Sequence, residues 1–189
     1  MRRVLPSLLA VAAIGCAPGA SAETPTPSPS AFVVGPAANA QTFAPTGPTE
    51  IGRVVAITDG DTIRVVIDGE EHRLRYIGID TPESVVPDAP IEPFALAAHA
   101  ANSALVSHKE VVLEKDVSET DQFDRLLRYV WLPPEEGRPG SGWRLVNLVL
   151  VRAGLAEAVD YPPDTKHSAI LHAAEEEARA AGYGLWTDG

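Results

Sequence analysis

Between Ile51 and Ile79 the apolar positions fall into three short runs separated by acidic, glycine-bearing turns. "IGRVVAIT" (Ile51–Thr58) is rich in β-branched residues and stops at "DGDT". Thr62–Ile67 repeats the pattern, and the "DGEE" that follows opens with Asp-Gly, a hairpin signal. His72–Ile79 supplies a third strand. The period then lengthens. "PFALAAHAANSALVSH" (Pro93–His108) is alanine-rich and opens on proline, which predicts a helix. Val111–Leu113 and Leu126–Leu132 predict two further strands, and "PPEEGRPGSG" between Leu132 and Trp143 predicts a surface loop. Leu145–Ala153 predicts a short buried helix stopped by Gly154. Asp164–Ala181 predicts a final helix capped by Asp164 or Thr165, with "GYGLW" after it. Five short strands and three helices, the first three strands consecutive, predict an α+β domain on a five-stranded Greek-key barrel of the OB type. The pattern alone leaves other α+β arrangements open.

Residues 1–50 are of a different kind. "MRRVLPSLLAVAAIGCAPGASA" has two arginines, an apolar stretch too short for a stable membrane span, and small residues after it, as a secretory signal does. Two exits compete. Ala20-Ser21-Ala22 fits cleavage by an ordinary signal peptidase, giving a signal over residues 1–22. "AAIGC" resembles the bacterial lipoprotein box, in which Cys16 becomes the lipidated first residue and anchors the chain to a membrane; Ala13 departs from the usual Leu. Residues 23–50 are Pro/Thr/Ser/Ala-rich and nearly uncharged, which predicts a disordered tether. The expected domain is 51–189, placed outside the cytoplasm, secreted or held at the bacterial surface. Cys16 is the only cysteine, so that domain has no disulfide and no thiolate metal site.

The formal charge is -11, and Arg2, Arg3, Glu23 and Glu50 cancel, so all of it belongs to residues 51–189. This counts against a broad basic face that coats nucleic acid, though not against a small arginine cluster within an acidic surface.

Three groups of residues carry candidate chemistry: "DGDT" with Asp59, Asp61 and Thr62; "RYIGIDTPE" with Arg75, Asp80, Thr81 and Glu83; and "TDQFDRLLRYV" with Asp121, Phe123, Asp124 and Arg125. Taken singly, each has a plain explanation. Asp-Gly and Thr-Pro are ordinary turn formers, and each arginine could pair with a nearby acid. Their succession within one small domain carries more.

That succession resembles the thermonuclease family, the staphylococcal-nuclease-like domains, over about residues 51–188. The likeness runs through "DGDT", the R-x-x-x-x-D-T-P-E run from Arg75, D-x-F-D-R at Arg125, "VNLVLVRAGLA" and "AEEEARAAGYGLW". The resemblance implies an OB-fold barrel with three helices and a calcium-dependent phosphodiesterase acting on DNA and RNA, with single strands preferred. It implies that Asp61, Asp80 and the Thr81 backbone carbonyl hold Ca2+. It assigns Glu83 to the attacking water, and Arg75 and Arg125 to the phosphate. Oxygen ligands suit a hard calcium ion, and guanidinium forks suit phosphoryl oxygens gaining charge. Four positions depart from or only partly match the family's pattern. Phe123 stands where the family has tyrosine, Asp124 where it has glycine, and Gln122 where lysine is common. Tyr161 matches one of two tyrosines at the substrate edge.

His72, His99, His108, His167 and His172 lack metal-ligand spacing, and the pair 167/172 is five apart rather than four. Trp131, Trp143 and Trp186 are expected in packing, and Glu175–Glu177 on a solvated helix face. Two further readings compete with a monomeric nuclease: an OB barrel that binds single strands without cutting, and a structural domain displayed on the tether. Arg75, Glu83 and Arg125 beside two metal acids favour the nuclease, since binding alone does not require all of them.

Overall fold

The computed structural model describes residues 43–83, 91–138 and 140–187. The expected signal, Cys16 and most of the expected tether lie outside them. In chain order the elements are β1 (Thr49–Asp59), β2 (Thr62–Ile67), β3 (Glu70–Tyr76), β4 (Ile79–Asp80), α1 (Ala95–Val106), β5 (Glu110–Glu114), β6 (Leu126–Leu132), β7 (Arg144–Leu145), α2 (Val146–Arg152), β8 (Glu157–Ala158) and α3 (Ser168–Ala181). A single 3-10 turn, Gly184–Trp186, follows α3.

The first half of β1 pairs with β5 and its second half with β2, the registers meeting at Arg53. An irregularity between Val54 and Ala56 lets the strand turn that corner. β2 pairs with β3, and β5 with β6, both antiparallel. A parallel pairing of Leu74–Tyr76 with Leu126–Arg128 then joins β3 to β6 and closes a five-stranded barrel. Closure removes the open sheet edges. With α1, α2 and α3 around it, this is the expected OB-type barrel with three helices. Ile63, Val65, Leu74, Leu113 and Val130 are fully buried in the core, and Trp131, on the opposite face of β6 from Val130, is equally buried against Phe43 and His167. Asn147 of α2 ties that core to the barrel wall: it accepts from Val130 N (3.0 Å) and donates to Ile77 O (2.8 Å).

Four expectations need correction. The third strand ends at Tyr76 rather than Ile79. Gly78 takes a left-handed backbone, φ 78°, and breaks the run, so that Ile79–Asp80 leaves the barrel to pair with Glu157–Ala158. The final helix starts at Ser168, not Asp164. Asp164 is not its cap: its buried carboxylate accepts from Val117 N (2.9 Å) and Ser118 N (2.8 Å) and organises that loop instead. The first helix is shorter than Pro93–His108, because Phe94 (φ 66°) and His108 (φ 59°) both sit in the left-handed region. Finally, residues 43–50 are not tether. Phe43 packs on Trp131, ring centroids 4.9 Å apart. Thr46 N and Gly47 N donate to Glu114 Oε1 at 2.9 and 2.8 Å, and β1 already begins at Thr49.

Glu114 is the anchor of that segment. Its side chain is 0% exposed, yet it receives Lys166 Nζ, the Trp131 indole N–H and His167 Nε2, each at 2.9 Å. Burial pushes its carboxyl up, but the bonds from Lys166, His167, Thr46 and Gly47 outweigh it and hold the group down to about 2.

Candidate active site

The acidic β1–β2 turn is packed against two other elements. A side chain at Gly60 would place its Cβ 2.7 Å from Thr81 Oγ1 and 2.8 Å from Ala98 Cβ, so only glycine lets the "DGDT" turn, the "DTPE" turn and α1 close on one another. Asn102 of α1 fixes the junction, accepting from the Tyr76 hydroxyl (2.9 Å) and donating to Asp59 O (3.3 Å). Asp61 is thereby buried, at 1% exposure. Its Oδ1 accepts from Thr62 Oγ1 at 3.0 Å, and its Oδ2 from both Thr81 N and Thr81 Oγ1 at 2.9 Å.

Register delivers Arg75 to this turn. Arg75 pairs with Thr62 across the β2–β3 ladder, and Tyr76 N reaches Asp61 O at 2.9 Å. The guanidinium forms an ion pair with Asp61 through Nη1, while Nη2 lies 2.5 Å from Asp80 Oδ1 and 3.2 Å from Ile79 O. The break at Gly78 is what turns Asp80 back onto this arginine. Burial disfavours the charged guanidinium, but Asp61 and Asp80 outweigh that and hold its pKa above the ordinary value.

Glu83 sits three residues after Asp80, at the mouth of the same cluster. Partial burial of its carboxyl, a hydrogen bond shared with Asp59, and the charges of Asp59 and Asp61 push it up to about 6, with Arg75 pulling the other way. Asp59 itself is buried and takes Gly60 N at 2.9 Å.

Arg125 enters from the neighbouring strand, immediately before β6 pairs in parallel with β3. Asp121 shapes its loop. One carboxylate oxygen accepts from Phe123 N (2.9 Å) and Arg125 N (3.0 Å), and the other holds Arg125 Nε and Nη2, each at 2.6 Å. This side-on pairing occupies one edge of the guanidinium. Burial raises the Asp121 carboxyl, but these bonds together carry it below the usual carboxylate range. The Arg125 guanidinium carbon also lies 5.4 Å from the centre of the Phe123 ring, which is 61% exposed. Asp124, where the family has glycine, holds the left-handed backbone (φ 59°) that glycine favours, a conformation aspartate tolerates.

The structure therefore gathers Asp61, Arg75, Asp80, Thr81 and Glu83 into one cluster and sets Arg125 and Phe123 at the adjoining strand. Tyr161 is 46% exposed on a turn closed by Asp164 N to Tyr161 O. Sequence reasoning did not assign Asp59 and Asp121 their parts as the partners of Glu83 and Arg125. Asp59 was visible in the "DGDT" turn, but its facing Glu83 depends on a contact between distant turns. Asp121, four residues before Arg125, was within reach of local reading.

Among the described residues no group of three or more His, Cys, Asp or Glu side chains is arranged to hold a metal ion. A smaller oxygen set does suit a hard cation. One guanidinium bridges the Asp61 and Asp80 carboxylates, so both lie within reach of a single positive centre, and Thr81 N and Oγ1 bond Asp61 beside them.

The OB barrel thus carries arginines and carboxylates on the β1–β2 turn, on β3 and β4, and immediately before β6. The family model described as "Staphylococcal nuclease homologue" matches residues 73–188, and the chain belongs to that family. It is 36% identical over 133 residues to "Thermonuclease" of Staphylococcus intermedius, covering 70% of this chain and 74% of that protein. It is 35% identical over 136 residues to "Thermonuclease" of Staphylococcus hyicus, covering 72% and 75%. "Endonuclease YncB" of Bacillus subtilis (strain 168) is 33% identical over 131 residues, 68% of this chain and 58% of that protein.

Proposed function

We propose that this chain is an extracytoplasmic, calcium-dependent endonuclease that hydrolyses phosphodiester bonds of DNA and RNA, acting as a monomer with single strands preferred. The observation that carries the reading is Arg75 held between Asp61 and Asp80, with Glu83 at the mouth of the same cluster. Asp61, Asp80 and the Thr81 carbonyl would hold the cation. When bound, Ca2+ supplies Lewis-acid polarisation of a non-bridging phosphate oxygen. Arg75 and Arg125 grip the equatorial oxygens as charge builds on them, and Asp121 keeps Arg125 aimed while it does so. Glu83 accepts a proton from the attacking water as the new P–O bond forms and the bond to the leaving oxygen breaks. Phe123 offers an exposed ring face for an unpaired base, and Tyr161 a second contact further along the strand. The two arginines and Glu83 set this apart from an OB module that only binds. Extracytoplasmic placement rests on residues 1–22, whether processed after Ala22 or lipidated at Cys16 as a surface lipoprotein.

Cleavage of labelled single-stranded DNA and RNA by the purified chain tests the proposal. Hydrolysis in calcium that stops in excess chelator is the expected result. Undiminished hydrolysis in chelator would remove calcium from the account, and retention of the strand without cleavage would assign a binding module.

A further inference from the structure

Glu83 does not hold its place alone. Its backbone follows Pro82 out of the β4 turn, and its N–H has no ladder partner there. Glu92 supplies one. Glu92 Oε2 accepts from Glu83 N at 3.0 Å, and Glu92 N donates back to Glu83 O at 3.3 Å. The two residues are nine apart in sequence, so this reciprocal pair is a contact between two separate stretches of the described chain.

The far end of the tie is bonded into α1. Ala95 N bonds Glu92 O at 3.1 Å, which leads Glu92 directly into α1. Helix α1 is itself fixed to the acidic turn: Ala95 and Ala98 are fully buried, and Asn102 bonds both Tyr76 and Asp59 O. Asp59 is the residue that Glu83 faces. Helix α1 thus holds the partner of Glu83 through Asn102 and the backbone of Glu83 through Glu92. Glu92 also lines a cleft of about 560 Å³ beside Asp80 and Thr81, which places it on the working side of the molecule.

From this geometry we infer that Glu92 is a positioning residue for Glu83: its carboxylate fixes the backbone from which the proton acceptor reaches the attacking water. The inference rests on the nuclease reading for its catalytic consequence. It does not require Glu92 to touch substrate or cation. Small errors in placing a reacting group are costly, since misplacement by about 1 Å can lower a rate ~10²-fold. A carboxylate that bonds one backbone N–H also differs from a mere negative charge at the head of a helix. Glutamine keeps the accepting oxygen and loses the charge.

The test compares Glu92→Ala and Glu92→Gln in the full chain, on single-stranded DNA at saturating calcium. Glu92→Ala is expected to lower kcat ~10–10²-fold while KM and calcium affinity stay within about twofold. Glu92→Gln is expected to restore most of the lost kcat. In the cation-free protein, hydrogen exchange at the Glu83 amide should accelerate in Glu92→Ala and return toward the parent rate in Glu92→Gln. An unchanged kcat in Glu92→Ala overturns the inference. So does a Glu92→Gln variant as impaired as Glu92→Ala, because that result assigns the effect to charge. If the parent chain cleaves nothing, the nuclease reading fails by itself, and the exchange rate still decides whether Glu92 anchors Glu83.

Discussion

Arg125 owes its posture to Asp121, which occupies Nε and one side of Nη2 and leaves the opposite edge of the guanidinium for a phosphate. A lysine in its place keeps the charge and loses the planar fork. Arg125→Lys and Arg75→Lys should each lower kcat ~10²-fold or more, the scale of a lost oxyanion donor, with KM changed much less. Steady-state kinetics on a single-stranded oligonucleotide separate the two parameters. Asp124 invites the opposite experiment. It adopts φ 59° without needing a side chain there, and its carboxylate adds negative charge one residue from Arg125. Asp124→Gly should leave the loop intact and lower KM for polyanionic substrate, and an unchanged KM would show that this charge does not reach the phosphates. At this scale the sequence was legible where residues sit in one short run, as in "RYIGIDTPE". It was not legible where a role depends on a partner from another turn, as with Glu83 facing Asp59.

The elements were readable where apolar periodicity sets them and misread where a single backbone angle does. Leu126–Leu132 matched at both ends because a continuous buried run has few other options. The third strand ends three residues before Ile79: the apolar pattern continues past Gly78, but φ 78° at that glycine breaks the run. Asp164 looked like a helix cap by local rules, but two N–H groups forty-six and forty-seven residues away claimed its carboxylate. Glycine substitutions test these element boundaries. A Cβ at Gly154 would lie 2.2 Å from Tyr183 O, a backbone atom, whereas one at Gly78 would lie 2.7 Å from Leu171 Cδ1, the end of a flexible side chain. Both glycines have positive φ, so each change to alanine carries a backbone cost of about 1–2 kcal/mol. Gly154→Ala should exceed Gly78→Ala, because backbone cannot step aside as a leucine tip can. Urea unfolding midpoints rank the two, and equal losses would contradict the close backbone approach of Gly154 to Tyr183.

For the whole molecule, the buried Glu114 carboxylate is one contributor to stability that acid removes. Glu114 joins β5 to the N-terminal segment and to Lys166 and His167. Its folded pKa, about 2, lies below the ordinary 4.5. The stability it contributes is therefore fully present above the ordinary value and is lost as pH falls from there toward 2. Glu114→Gln should destabilise the protein on the order of 3 kcal/mol at pH 7. The gap from the parent should shrink between about pH 5 and pH 2, and a gap constant with pH would reject this role. The acidic surface belongs to the same scale. A net charge of -11, with the small arginine cluster counted in it, should make association with DNA less salt-sensitive than that of a basic nuclease. Binding and cleavage nevertheless come apart at one residue. The most direct measurement is kcat, KM and calcium affinity for Glu83→Gln on single-stranded DNA. A proton acceptor acting only as water attacks predicts kcat down ~10²-fold or more, with KM and calcium affinity nearly unchanged. A raised KM with kcat intact would contradict it, and would leave the cluster a place where a strand is held rather than cut.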